Sequence, residues 1–107
     1  MPRAVLLIED SPEDRETYRR YLARAGDDIY ETIEAETIEE GLSLYRRETP
    51  DIVPLDYHLP DGTALDFIKE GGKEIDRPII ILTGQEERKI AVERMKAGAS
   101  DYLVKGN

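Results

Sequence analysis

Pro78-Ile79-Ile80-Ile81-Leu82-Thr83-Gly84 is the stretch that decides the fold. Three isoleucines and a leucine in a row leave no polar face, so a strand built from them has to be covered on both sides. Strands of that kind belong to parallel sheets sandwiched between helices. Working outward, residues 4–8 form a second continuous apolar run, and residues 51–55 and 102–104 read as two further short strands. Residues 29–35 alternate in the manner of a half-buried strand.

Helical signals fill the gaps between these runs. Ser11 followed by Pro12 reads as an N-cap and a first-turn proline. The helix after them carries Tyr18, Leu22 and Ala25 on one face, and Gly26 is placed to end it. Thr37 and Glu40 fit a capping box for a helix with Ile38, Leu42 and Tyr45 inward, closed by Pro50. Leu59-Pro60-Asp61-Gly62 is a turn, and residues 63–70 are a short helix carrying Leu65 and Ile68. Residues 85–97 predict a fourth helix, stopped by Gly98. The order βαβαβαβαβ, with right-handed crossovers, predicts a doubly wound parallel α/β sheet over a single domain, residues 1–107.

Composition limits the function classes. The 107 residues suit one core, and 39% hydrophobic with 36% charged residues is a globular rather than a disordered balance. A formal net charge of -9 repels nucleic acid and anionic lipid, which recruit Lys and Arg. The absence of cysteine rules out disulfides and thiolate metal sites. No apolar run nears the roughly 20 residues of a membrane span, and the start Met-Pro-Arg is followed too soon by acids for a secretory signal. The expected location is the cytoplasm.

In an open doubly wound sheet, ligands bind beyond the carboxyl ends of the strands. Glu9 and Asp10 follow the first strand, Asp56 ends the third, Thr83 and Gly84 follow the fourth, and Tyr102 and Lys105 end the fifth. Taken singly, each has an ordinary use. Asp10 and Thr83 suit helix caps, Asp56 a turn, Tyr102 the core, and Glu9 and Lys105 the surface. His58 is the single histidine and gives weak support to a zinc site. Together the polar residues fall on one edge. Clustered carboxylates repel one another and suit a hard divalent cation such as Mg²⁺. Lys105 and Thr83 leave a positive charge and a hydroxyl donor for an anion, and Asp56 is a plausible phosphoryl-accepting nucleophile.

With these residues in hand, the chain resembles the receiver domain of two-component response regulators. The resemblance is carried by Val5-Leu6-Leu7-Ile8-Glu9-Asp10-Ser11, Leu55-Asp56-Tyr57-His58-Leu59-Pro60-Asp61-Gly62, Ile81-Leu82-Thr83-Gly84 and Gly98-Ala99-Ser100-Asp101-Tyr102-Leu103-Val104-Lys105, in order over nearly the whole chain. It implies a flavodoxin-like fold with strand order 2-1-3-4-5. It implies that Asp56 accepts a phosphoryl group from a phosphohistidine of a sensor histidine kinase or a histidine phosphotransfer domain. Mg²⁺ would be held by Asp10, Asp56 and the main-chain carbonyl of His58, with Glu9 acting through water. Lys105 would contact the phosphoryl oxygens. Thr83 and Tyr102 would be the switch residues, with output through the fourth helix and fifth strand. Such a domain is a phosphoacceptor switch rather than an enzyme.

Two features depart from the family pattern. Pro54 lies inside the central strand, where an aliphatic residue is usual and where a proline gives no N–H to the ladder. After Lys105 the family continues into a fifth helix, so the domain is expected to be cut after the fifth strand and to belong to a larger protein such as a hybrid sensor kinase. The face so opened is expected to lower stability or to drive self-association. The competing function is a receiver-like interaction module that does not use phosphorylation. A flavin-binding protein of the same topology is disfavoured, because Glu9 and Asp10 stand where a phosphate loop would be. Kinase and effector have no signature in the chain.

Overall fold

The computed structural model describes residues 3–24, 30–84 and 101–104. The fourth helix expected over 85–97, Ala25, Gly26, Ile29, Gly98, Lys105 and the side chain of Tyr102 lie outside the described part. The elements are β1 (Arg3–Ile8), α1 (Pro12–Ala23), β2 (Tyr30–Ala35), α2 (Ile38–Glu48), β3 (Val53–Asp56), β4 (His58–Leu59), β5 (Gly62–Thr63), α3 (Ala64–Gly71), a 3₁₀ turn (Gly72–Glu74), β6 (Ile79–Thr83) and β7 (Asp101–Val104). Five strands form one parallel sheet in the order β2-β1-β3-β6-β7, which is the expected 2-1-3-4-5 counted along the chain. The Leu-Pro-Asp-Gly turn is present as expected. It closes an antiparallel ribbon in which β4 pairs with β5, Leu59 opposite Gly62.

The two sheet faces are covered unequally. On one, Leu6, Ile8, Val53, Leu55, Ile79 and Ile81 meet Ile38, Leu42 and Tyr45 of α2 and Ala64, Phe67 and Ile68 of α3, all buried. Gly41 is needed there, since a Cβ would lie 2.6 Å from Ile8 Cδ1. The other face receives Val5 and Leu7, also fully buried. Yet α1 has no buried residue: Tyr18 and Leu22 reach only half-burial, and Tyr21 is 66% exposed. Ion pairs add to this contact, Arg15 to Glu34 (3.0 Å) and Arg19 to Glu34 (3.2 Å). At the amino edge, the Tyr45 hydroxyl donates to Asp76 Oδ1 (3.0 Å) and accepts N–H groups of Asp76 (3.0 Å) and Arg77 (3.1 Å). Burial nonetheless leads the balance on that phenol and raises its pKa above the usual value.

Pro54 occupies the centre of β3, opposite Ile80 of β6. Val53 and Tyr57 donate to β6-side carbonyls, those of Pro78 (3.0 Å) and Leu82 (2.9 Å). Leu6 N–H donates to Ile52 C=O (3.0 Å), so in a parallel ladder the Leu6 carbonyl turns toward position 54, where a proline has no N–H to give. Pairing of β1 with β3 is accordingly interrupted, present at Val5–Ile52 and again at Ile8–Leu55. The strands do not slip. Both pairings keep the 47-residue offset of the Ala4 N–H to Asp51 carboxylate bond below them. There is no bulge, and Asp56 stays in register opposite Leu82.

The start of α2 is capped from two directions. Thr37 Oγ1 accepts the Glu40 N–H (3.1 Å), as the sequence predicts. Glu40 reaches back to the Glu36 N–H (3.0 Å) rather than to that of Thr37, so the capping box is displaced by one residue. The two remaining first-turn N–H groups, Ile38 (2.8 Å) and Glu39 (3.1 Å), donate to the Asp61 carboxylate from the β4–β5 turn. Burial pushes the Asp61 carboxyl up, but the N–H groups of Ile38, Glu39 and Asp61 itself prevail and hold its pKa below the ordinary 3.8.

Two outcomes are expected. Pro54→Val supplies the missing N–H, worth about 1 kcal/mol. That outweighs the ~0.4–1 kcal/mol lost when a proline no longer restricts the unfolded chain, because a buried carbonyl also gains its partner. The melting temperature should rise by a few degrees, and an unchanged or lower value would refute the account. Asp61→Ala should cost about 1 kcal/mol at neutral pH. Since the folded carboxyl has the lower pKa, its stabilisation is complete above the unfolded value and fades as pH falls through the folded one. Urea titrations should show a gap between wild type and variant that is constant down to about pH 4 and closes below it.

Candidate functional site

β1 and β3 are neighbours whose ends lie level, Ile8 beside Leu55. The residues that follow, Glu9 and Asp10 on one strand and Asp56 on the other, are therefore thrown together. One carboxylate oxygen from each of the three lies within 4.8 Å of the others. Glu9 (1% exposed) and Asp56 (6%) are buried, and Asp10 is exposed at the mouth. Among the described residues this is the one convergence of three metal-ligating side chains, and His58 is not part of it. The exposed His58 imidazole packs edge-on against Tyr57 instead, with ring centroids 4.9 Å apart.

Backbone groups support these acids. Glu9 N–H donates to Ala35 C=O of β2 (2.9 Å), and Glu9 Oε1 accepts the Ser11 N–H (3.2 Å). Ser11 in turn caps α1 by accepting the Asp14 N–H (3.3 Å). Beyond Asp56 the chain is pinned at Tyr57, whose N–H donates to Leu82 C=O (2.9 Å) and whose carbonyl accepts the Ala64 N–H (2.8 Å). Thr83 ends β6, next to β3, fully buried. Its Oγ1 has no hydrogen-bond partner among the described residues. A buried hydroxyl without a partner costs free energy unless something arrives to meet it.

Of the residues the sequence predicts, Glu9, Asp10 and Asp56 are brought into one cluster, and Thr83 lies on the same edge one strand away. Tyr102 is in β7, in register with Ile81. The contacts of Arg15 with Glu9 and of Asp61 with Ile38 join distant segments and have no pattern in the sequence, although Asp61 itself is marked there as a turn residue. The donors are all oxygens and two of the three carboxylates are buried. Such a set fits a hard divalent cation and would be repulsive without one.

Residues 5–107 match the family described as response regulator receiver domain. The chain belongs to that family. Among curated relatives, this receiver is 37% identical over 95 residues to the KDP operon transcriptional regulatory protein KdpE of Escherichia coli (strain K12), covering 87% of the chain and 42% of that protein. It is 32% identical over 108 residues to the phosphate regulon transcriptional regulatory protein PhoB of the same organism, covering 98% and 46%. The receiver thus spans less than half the length of these relatives. Among solved structures, a two-component response regulator of the LuxR family from Aurantimonas sp. SI85-9A1 superposes with a TM-score of 0.84 at 31% identity, covering all of this chain and 76% of that one. The fold is the flavodoxin-like α/β fold expected. No helix among the described residues is long and apolar enough to cross a membrane.

Relieving the repulsion tests the cluster. Asp56→Asn should raise the melting temperature in EDTA, by the equivalent of about 1 kcal/mol. The same change should remove most of the stabilisation that millimolar Mg²⁺ gives the wild type. A variant that gains as much from Mg²⁺ as the wild type would exclude Asp56 from the ion site.

Proposed function

We propose that this receiver is a phosphoacceptor switch in which Asp56 takes a phosphoryl group from a phosphohistidine of a sensor kinase or phosphotransfer domain. The observation that carries the proposal is the convergence of Glu9, Asp10 and Asp56 within 4.8 Å, on the sheet edge where the buried Thr83 hydroxyl has no hydrogen-bond partner among the described residues. An Asp56 oxygen attacks phosphorus as the bond to the donor imidazole breaks, and that nitrogen leaves carrying the electron pair. Asp10 and Asp56, with the main-chain carbonyl of His58, would hold Mg²⁺, and Glu9 would assist through water. When bound, the ion neutralises the acids and the phosphoryl oxygens. Burial of Asp56 keeps the nucleophile in one orientation at the sheet edge.

The switch follows from charge. A phosphoryl group on Asp56 adds about -1.5 to -2 charge and new acceptors. Thr83 Oγ1 is one strand away and has a hydrogen to give, so it gains a reason to turn toward the new group. Lys105 would pair with the phosphoryl oxygens, and Tyr102 would follow Thr83, changing the surface around β7 for a downstream partner. The relatives KdpE and PhoB are transcriptional regulatory proteins by name. The output of this chain is proposed to be relayed to an effector in the same protein or a separate one, without direct contact between the receiver and nucleic acid.

Incubation with acetyl phosphate and Mg²⁺ should add the mass of one phosphoryl group. The addition should be alkali-labile, dependent on Mg²⁺ and absent in Asp56→Asn. Failure of both acetyl phosphate and beryllofluoride to modify the protein, with partner binding preserved in Asp56→Asn, would establish a phosphorylation-independent interaction module instead.

A further inference from the structure

The peptide between Glu9 and Asp10 joins two of the three clustered acids, so its orientation decides where both carboxylates point. Its nitrogen-side neighbour is fixed by the Glu9 N–H to Ala35 bond (2.9 Å). Its carbonyl accepts a hydrogen bond from Arg15 Nη1 at 2.8 Å. Arg15 is not a loose surface cation. Its side chain is 13% exposed, Nε lies 3.0 Å from Glu34 Oε1, and Nη2 lies 3.3 Å from Glu36 Oε1. The planar fork is therefore anchored on one side by the end of β2 and grips the chain of β1 with the other. With all three nitrogens engaged this way, Arg15 is not available as a phosphate-binding group.

We propose that Arg15 is a positioning residue for the acidic site: held by Glu34 and Glu36, it fixes the Glu9–Asp10 peptide through the Glu9 carbonyl and so sets the affinity for divalent cations. This rests on the metal-dependent reading of the cluster and adds a residue from α1 that touches neither ion nor phosphoryl group. The ordinary alternative is a staple between α1 and β2 that serves stability alone.

The sign of the effect separates these. Removing a positive charge near three acids should by Coulomb's law strengthen cation binding. Loss of positioning should weaken it, and outer supports of metal ligands typically account for about 10–100-fold in affinity. Calorimetric titration of Mg²⁺ into wild type, Arg15→Gln, Arg15→Lys and Arg19→Gln decides. Arg19 also pairs with Glu34 (3.2 Å) from the same helix but does not touch Glu9, so it reports the staple alone. We expect roughly tenfold or greater weakening in Arg15→Gln, a lesser but clear weakening in Arg15→Lys, and a change within about twofold in Arg19→Gln. The ¹⁵N resonance of Asp10, the amide beyond the gripped carbonyl, should move in both Arg15 variants and stay in Arg19→Gln. If Arg15→Gln does not fold, Arg15→Lys carries the test. Wild-type protein that binds Mg²⁺ beside Arg15 variants that bind it equally well or more tightly would overturn the proposal. Wild-type protein that binds no Mg²⁺ would overturn the metal reading itself, and the positioning role with it.

Discussion

Everything at the functional edge depends on the level ending of two parallel strands. β1 and β3 are held at one offset along their length, and this brings Ile8 beside Leu55. A slip of one residue would turn Asp56 to the opposite face of the sheet. The offset survives the proline at the middle of β3, because pairing resumes on either side of it. Register is set by buried side chains on both faces, and a single absent N–H is too small a term to displace it.

The strands were legible because their burial is nearly complete. The run at Ile79–Thr83 has no polar face, and it proved to be a central strand with Ile79, Ile81, Leu82 and Thr83 buried. α2 was legible for a similar reason, with Ile38, Leu42 and Tyr45 on a single stripe and all buried. α1 was read less well. Its Tyr18 and Leu22 suit an apolar stripe but reach only half-burial, and Arg15 and Arg19 add ion pairs to Glu34. Periodicity records hydrophobic faces, and it is silent about ion pairs between elements.

The site divides in the same way. Glu9, Asp10, Asp56 and Thr83 were legible because strand ends in a doubly wound sheet share an edge, so counting to the end of each apolar run finds them. The long-range contacts around them were not. Arg15 is six residues from Glu9, and Asp61, which caps α2, is 23 from Ile38. The sequence marks Asp61 as a turn residue and Arg15 as a surface charge, and neither reading tells what it touches. Their roles arise only when folding brings a side chain to a main-chain group whose direction no pattern of residue types encodes.

A strand in such a sheet is also a ruler. It advances about 3.3 Å per residue and stretches very little. The Tyr45 hydroxyl fastens the N–H of Arg77 at the entrance to β6. Thr83 is six residues further on, roughly 20 Å away at that rise. The position of Thr83 along the sheet is thus gauged from a phenol on the opposite side of the domain, and β6 has no slack with which to shift it. In the proposed switch, a group on Asp56 would be met by rotation of the Thr83 side chain, with the strand as the fixed stop.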